Sequence, residues 1–293
     1  MTLTTVDAPG LRLFRRGKVR DTFEFPDGTL LMVASDRISA FDVVLPTAIP
    51  GKGRVLTQMS RWWFDRTAGI VPNHLLRDPA AEATRQLDWQ ELRPRSMRVA
   101  RAERIDIECV VRGYLAGSGW REYRDGGTLA GERLMPGLRE SSRLPEPRFT
   151  PAAKNDDGHD ENISRARLAA MVGDELAADL EAVSLALFGF AAGHCQRAGM
   201  ILVDTKFEFG FIDDQLMLID EVLTPDSSRF WDAAEWREGH PMPSFDKQPV
   251  RDWLARQPWD RTAPGPALPD DIVRETSHRY AEAARRICGL DPC

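Results

Sequence analysis

Lysine is scarce in this chain. Of 39 basic side chains only five are lysine (Lys18, Lys52, Lys154, Lys206 and Lys247), and the other 34 are arginine. An arginine-favouring base composition accounts for the bulk of that ratio, so each surviving lysine invites a specific reason. No apolar run approaches the roughly 20 residues that span a bilayer, and no basic patch followed by an apolar stretch opens the chain as a secretory leader would. The four cysteines (Cys109, Cys195, Cys288, Cys293) form no C-x-x-C and no Cys/His zinc spacing. A reduced, cytoplasmic protein is therefore expected. An excess of basic charge is also missing. Residues 1–110 carry 17 cations against 14 anions, and the whole chain is −6, which argues against nucleic acid as a partner. Nor does any G-x-x-x-x-G-K-[ST], G-x-G-x-x-G, G-x-S-x-G or H-E-x-x-H occur, which counts against P-loop enzymes, Rossmann dehydrogenases, α/β-hydrolases and zincins.

What is present, at 42% hydrophobic and 29% charged over 293 residues, is a globular chain with ample core. Short strands are predicted at 11–14, 19–25 and 29–34, the last two joined by Pro26-Asp27-Gly28. A helix is predicted over 55–68, and strands over 97–100 and 107–111. Residues 125–160, heavy in Gly, Pro and charge, read as a long functional loop. A helical pattern runs from Ser164 to Arg197 and stops at Gly199. Strands at 201–211 and 216–222 flank Asp213-Asp214-Gln215, and a last helix covers about 270–288. Strands early and helices late predict an α+β fold, divided as 1–104, strand-rich, and 105–293, mixed.

Several segments could carry chemistry. In Gly17-Lys18-Val19-Arg20-Asp21, glycine lets backbone N–H groups approach a phosphate, and Lys18 and Arg20 point to one face; an ordinary hairpin with solvated charges reads the same. Ser35 to Asp42 follows a strand end and reads either as ligand-binding polar side chains or as turn and cap chemistry. Lys206 and Glu208 share one strand face, while Phe207, Phe209 and Phe211 share the other. A three-residue hairpin loop sets Asp220 opposite Glu208, so that two carboxylates and a lysine converge as Mg²⁺ with substrate phosphates requires. A two-residue loop puts them on opposite faces. Arg112 precedes a glycine-rich run and is placed to fork a phosphate. Thr224 to Arg229 adds hydroxyls and a second arginine, or caps a helix. Lys154 to Asn162 is the densest polar cluster, and its acids lack EF-hand spacing.

In this order the segments resemble the SAICAR synthetase family, in its longer form: GKVRD at 17–21, SDRISAFD at 35–42, IECVVRGYLAGSGW at 107–120, FTPAAKNDDGHDEN at 149–162, ILVDTKFEFG at 201–210 and LIDEVLTPDSSRFW at 218–231. The resemblance spans roughly residues 12–290. It implies an ATP-grasp- or kinase-like two-part α+β architecture with antiparallel sheets and ATP in a cleft between the parts. The implied reaction joins L-aspartate to the aminoimidazole carboxylate ribonucleotide through an acyl phosphate, releasing ADP and phosphate in purine biosynthesis.

By motif position Gly17, Lys18, Val19 and Arg20 would take ATP. Glu208 and Asp220 would hold Mg²⁺ and, with Lys206, form the catalytic set. Arg112, Ser118, Asp156 and Arg229 would bind the ribonucleotide, and Asp36, Arg37 and Ser39 would lie on the aspartate side. Small molecules alone are the implied partners, with no membrane and a monomeric chain. Two positions depart from the family pattern: Phe23 stands where a tyrosine is usual, and Ala152-Ala153-Lys154-Asn155-Asp156-Asp157 replaces Ser-Thr-Lys-Ala-Glu-Glu, so that Asp156 and Asp157 compete for one role. A small-molecule kinase or a non-catalytic nucleotide-binding regulator would show much of the same set. Of the five lysines, Lys247 alone has no expected neighbourhood.

Overall fold

Pro26-Asp27-Gly28 closes the hairpin that its flanking alternation predicts. The computed structural model, which describes residues 2–77, 89–154 and 161–291, places β1 (Arg12–Arg16), β2 (Arg20–Glu24), β3 (Leu30–Ala34) and β4 (Ser96–Val99) in one antiparallel sheet in that spatial order. Every residue of β3 is buried, because it lies between two apolar layers. Leu31 and Val33 face a small cluster with Phe23, Phe25 and Val6, while Leu30 and Met32 face the main core. Helix α1 (Lys52–Thr67) packs on the main-core side.

The second sheet has eight strands. Its spine is β5 (Ile107–Tyr114) paired with β7 (Met200–Ile212), which pairs in turn with β8 (Gln215–Ile219). Between β5 and β7 in the chain come α2 (Gly117–Gly126), β6 (Arg143–Phe149), α3 (Arg165–Val172) and α4 (Asp174–Arg197). The chain continues through β9 (Ser228–Asp232), α5 (Gln248–Ala255) and α6 (Asp270–Cys288). The same core joins Leu30, Met32 and Val99 of the first sheet to Phe207, Phe209 and Phe230 of the second.

Two expectations change here. The stretch taken as a loop contains part of α2, a small hairpin (Thr128–Leu129 with Glu132–Arg133) and the seven-residue β6. Pro145 and Pro147 hide that strand from a sequence reading. They fall in the gap between the pairs Arg143↔Tyr114 and Arg148↔Arg112, where no ladder donor is needed. The long helical pattern splits at Gly173, whose φ of 89° no helix accommodates, and α4 restarts with Asp174 and Glu175 at its positive end. Among the described residues α4 is the one helix long and apolar enough to cross a membrane. Its buried residues, from Ala177 and Leu180 to Ala191 and Cys195, recur at helical spacing, and α4 packs on β7 and β5.

Candidate active site

A cavity of about 620 Å³ opens between the two sheets, within the size range of small-molecule sites. Its lining is partly apolar, from Leu30, Met32, Val99, Ala100 and Ile219, and otherwise largely charged. Gly17, Lys18, Val19 and Arg20 all reach it from the β1–β2 turn. That turn is tight: Gly17 N–H donates to Arg20 O at 2.7 Å, and a Cβ on Gly17 would stand 2.8 Å from that oxygen. Arg37 ties the turn down, donating to Gly17 O (3.1 Å), Lys18 O (3.1 Å) and Asp21 (2.7 Å). Lys18 pairs with Asp42 across the mouth.

The opposite wall comes from the period-2 face of β5 and β7. Lys206 Nζ lies 2.7 Å from Glu108 and 2.5 Å from Glu208, and Lys154 Nζ takes the other Glu208 oxygen at 2.5 Å. Burial alone would raise the Glu208 carboxyl, but Lys206 and Lys154 outweigh it and hold the group well below the usual carboxylate range. The same pairing, led by Glu208 and Glu108, raises Lys206 against its own burial.

Asp220 arrives by an unexpected route. The hairpin loop has two residues, Asp213 and Asp214, with φ of 49° and 60°, the paired positive values of a type I′ turn. Glu208 therefore pairs with Ile219, and continued extension would turn Asp220 to the Phe207 side. The strand ends instead, and Asp220 takes φ 66°, a conformation costly for a non-glycine residue. It lines the cavity and accepts from Arg20 at 2.6 Å, with Glu221 3.5 Å from the same guanidinium. Arg20 is raised, the charges of Asp220, Glu221 and Glu208 overcoming its burial.

His74 lines the same cavity, fully buried beside Asp220. Burial lowers it to about 4, with the Asp220 charge resisting only in part, so the ring is neutral at neutral pH.

A second cavity, about 790 Å³, shares Ser39, Asp42, Lys247 and Arg251 with the first and runs on to Ser118, Arg121 and Arg229. Beneath it Arg112 donates to Ser118 Oγ (3.2 Å) and Thr150 Oγ1 (3.1 Å), and both Arg112 and Arg229 pair with the buried Asp204. The Asp204 charge leads in raising Arg229. A third cavity, about 660 Å³, lies beyond Arg229 among Trp120, Trp231 and Arg279 and has no part of the Lys/Glu cluster.

Two expected site residues are placed elsewhere. Asp36 is fully buried and saturated by Leu3 N (2.8 Å), Gly53 N (3.0 Å) and Arg95 (3.0 Å), so it anchors the start of α1. Arg37 is committed to the turn described above. Ser39 alone of that trio reaches the cavities. Asp156 and its competitor Asp157 lie outside the described residues.

Other groups were missed. Asp204 is two residues before Lys206, so the alternation that linked Lys206 to Glu208 also included it; Glu108 and Arg112 are related in the same way on β5. Lys247 has a neighbourhood after all. Burial lowers it; Asp226 resists, and Arg251 and Lys52 push it further down. Asp226 is itself held by Lys52 (2.6 Å) and the Tyr280 hydroxyl (2.6 Å). Nothing in the sequence advertised these long-range partners.

Among the described residues no three His, Cys, Asp or Glu side chains gather as a metal cage. Glu208 and Asp220 on one cavity, each already facing a cation, nonetheless suit an ion such as Mg²⁺, which takes one or two carboxylates and completes its shell with phosphates and water.

Comparison with known proteins agrees with this geometry. Residues 13–266 match the family described as SAICAR synthetase. The phosphoribosylaminoimidazole-succinocarboxamide synthase of Syntrophotalea carbinolica is 52% identical over 291 residues, 98% of this chain and 97% of that protein. A solved SAICAR synthase from Saccharomyces cerevisiae, complexed with SAICAR, superposes with a TM-score of 0.89 at 39% identity, covering 99% of each chain. A SAICAR synthetase solved in complex with ADP gives 0.70 at 25% identity, covering 95% of this chain and 99% of that one.

Proposed function

The chain belongs to the SAICAR synthetase family, and from that membership we infer how its residues divide the work. It is an ATP-dependent carbon–nitrogen ligase of purine biosynthesis, joining L-aspartate to 5-amino-1-(5-phosphoribosyl)imidazole-4-carboxylate. One observation carries the reading: a nucleotide-sized cleft and an arginine-lined cavity share Ser39, Asp42, Lys247 and Arg251 in their walls.

ATP enters with its base against the apolar lining. Lys18 and Arg20 draw in the triphosphate, and Arg20 leaves Asp220 and Glu221 for it. Arg112, Ser118 and Arg229 hold the ribonucleotide phosphate, which points the imidazole carboxylate back toward the first cavity. A carboxylate oxygen attacks the γ-phosphorus, the bond to ADP breaks, and an acyl phosphate forms. The aspartate amine then attacks the acyl carbon, phosphate departs with the C–O electron pair, and the amine gives up a proton. Lys206 and Lys154 lie where charge accumulates on the transferring group. Glu208 and Asp220 would hold Mg²⁺, which when bound neutralises phosphate charge.

Lys247 and Arg251 replace Asp36 and Arg37 on the aspartate side. They supply cations for a dicarboxylate next to Ser39, whereas Asp36 would repel it. Residues 1–104 thus contribute the phosphate-binding turn, and 105–293 the carboxylates and arginines. A monomeric chain remains part of this reading, and the buried free thiols Cys109, Cys195 and Cys288 suit a reducing cytoplasm.

The test is ADP release with the ribonucleotide present, with and without aspartate. Release should require aspartate for sustained turnover. Equal sustained turnover without it would return the kinase reading.

A further inference from the structure

The third cavity has no part in the ligation as divided above. Helices α2, α5 and α6 and strand β9 enclose it, and its volume of about 660 Å³ suits a mononucleotide. Trp120, Trp231, Met242 and Ile272 give it an apolar wall. Both indoles are held by neighbours: Trp231 meets Tyr114 edge-on with ring centroids 5.4 Å apart, and Trp120 stacks on Tyr123 at 6.1 Å. The rest of the lining is rich in arginine. Arg279 is committed to Glu275 (2.7 Å) and Arg124 to Asp125 (2.8 Å), but Arg121 and Arg256 make no ion pair among the described residues. Two guanidiniums without a carboxylate, beside fixed indoles, complement a dianionic phosphate monoester carried on a flat aromatic ring.

Arg229 forms the partition between this cavity and the second. Its guanidinium lies against Gly117, where a Cβ would stand 2.4 Å from Nη2, and both residues line both cavities, as does Arg121. Among the described residues Arg229 has one hydrogen-bond partner, Asp204, at Nη1, so donors remain for an anion. Resting on the ribonucleotide reading of the second cavity, we propose that the third cavity binds a nucleoside 5′-monophosphate. Its phosphate draws Arg229 and Arg121 to its own side and weakens the grip on the ribonucleotide substrate, which makes the cavity an inhibitory site.

Ligation rates test this with ATP and aspartate saturating and the ribonucleotide varied against AMP, adenosine or ribose 5-phosphate. With AMP the KM for the ribonucleotide should rise about fivefold and then level off, because both ligands are bound at once. Adenosine and ribose 5-phosphate, each with half of the recognition, should require about tenfold higher concentrations. Arg256 lies at the C-terminal end of α5 and lines the third cavity but not the second. Arg256→Glu should therefore leave the KM without AMP unchanged and weaken AMP about tenfold, in rates and in calorimetry of the ADP-saturated protein; Trp120→Leu should weaken AMP and adenosine but not ribose 5-phosphate. A KM that climbs in proportion to AMP without limit would overturn the proposal, since AMP would then occupy the ribonucleotide cavity itself. So would an AMP response that Arg256→Glu leaves intact, or no response at all. If Trp120→Leu does not fold, the shape of the AMP curve and Arg256→Glu decide. Absence of ligation with Arg256-dependent AMP binding retained would strike the reaction proposed above and not the site.

Discussion

Two charge clusters share one face of β5 and β7 and are built to opposite ends. Toward the nucleotide, Glu108 and Glu208 meet Lys206 and Lys154, two anions against two cations. Toward the second cavity, Asp204 pairs with both Arg112 and Arg229. The first set is balanced, and its cations are compact ammoniums that can give way when a divalent ion and a triphosphate arrive. The second is one positive charge in excess, and its cations are planar forks held in aim by a buried carboxylate. A balanced cluster exchanges its counter-ions; an unbalanced one awaits an anion. In a chain that otherwise writes its cations as arginine, lysine recurs on the exchanging side.

The sharpest way to break this contrast is Glu208→Gln. It strands Lys154 and half of Lys206's partnership and removes a proposed metal donor, so kcat/KM should fall at least about 100-fold, while ribonucleotide binding, measured by calorimetry, stays within about twofold. The same variant carries a pH signature. Glu208 titrates below its unfolded value of 4.5, so the folded state binds fewer protons, and its contribution to stability is present above that value and lost as pH falls below it. Urea midpoints from pH 5 down to pH 3 should therefore fall less steeply in Glu208→Gln than in wild type.

Asp204→Asn tests the other cluster. Two arginines lose their common anchor, and the KM for the ribonucleotide should rise about tenfold with ADP affinity unchanged; a tighter ribonucleotide KM would mean that Asp204 only competes with the substrate phosphate. Smaller effects should separate the lysines. Lys206→Arg should lower kcat about tenfold, because a fork on Glu208 resists displacement. Lys247→Arg should act on the KM for aspartate, raising it about fivefold, rather than leave activity untouched as its anonymous sequence context suggested. Least of all, Phe23→Tyr should change kcat by less than about twofold. Phe23 packs with Val6 and Leu31 on the side of its sheet away from the cleft, so the family tyrosine is not required for binding.

Legibility followed distance along the chain. Alternation found Lys206 and Glu208 because they are two residues apart, and it would have found Asp204 had the same rule been carried two residues back. Turn chemistry was ambiguous at Asp213-Asp214-Gln215. Only the observed backbone shows a two-residue loop and a left-handed Asp220 that restores the convergence a simple register denies. Asp36 and Arg37 looked like ligand groups because short polar residues after a strand serve binding and capping equally well. Arg95, 59 residues away, settles Asp36 as an anchor.

By itself the sequence determined the strand-first α+β order, the tight turn between the first two strands, and a family resemblance strong enough to name the reaction, since periodicity and contiguous motifs are properties of neighbours in the chain. Tertiary structure alone decided which charges meet. Asp226 with Lys52 and Tyr280, and His74 beside Asp220, are pairings across about 50 to 175 residues. Packing creates them, and the low dielectric it brings makes each one strong enough to matter.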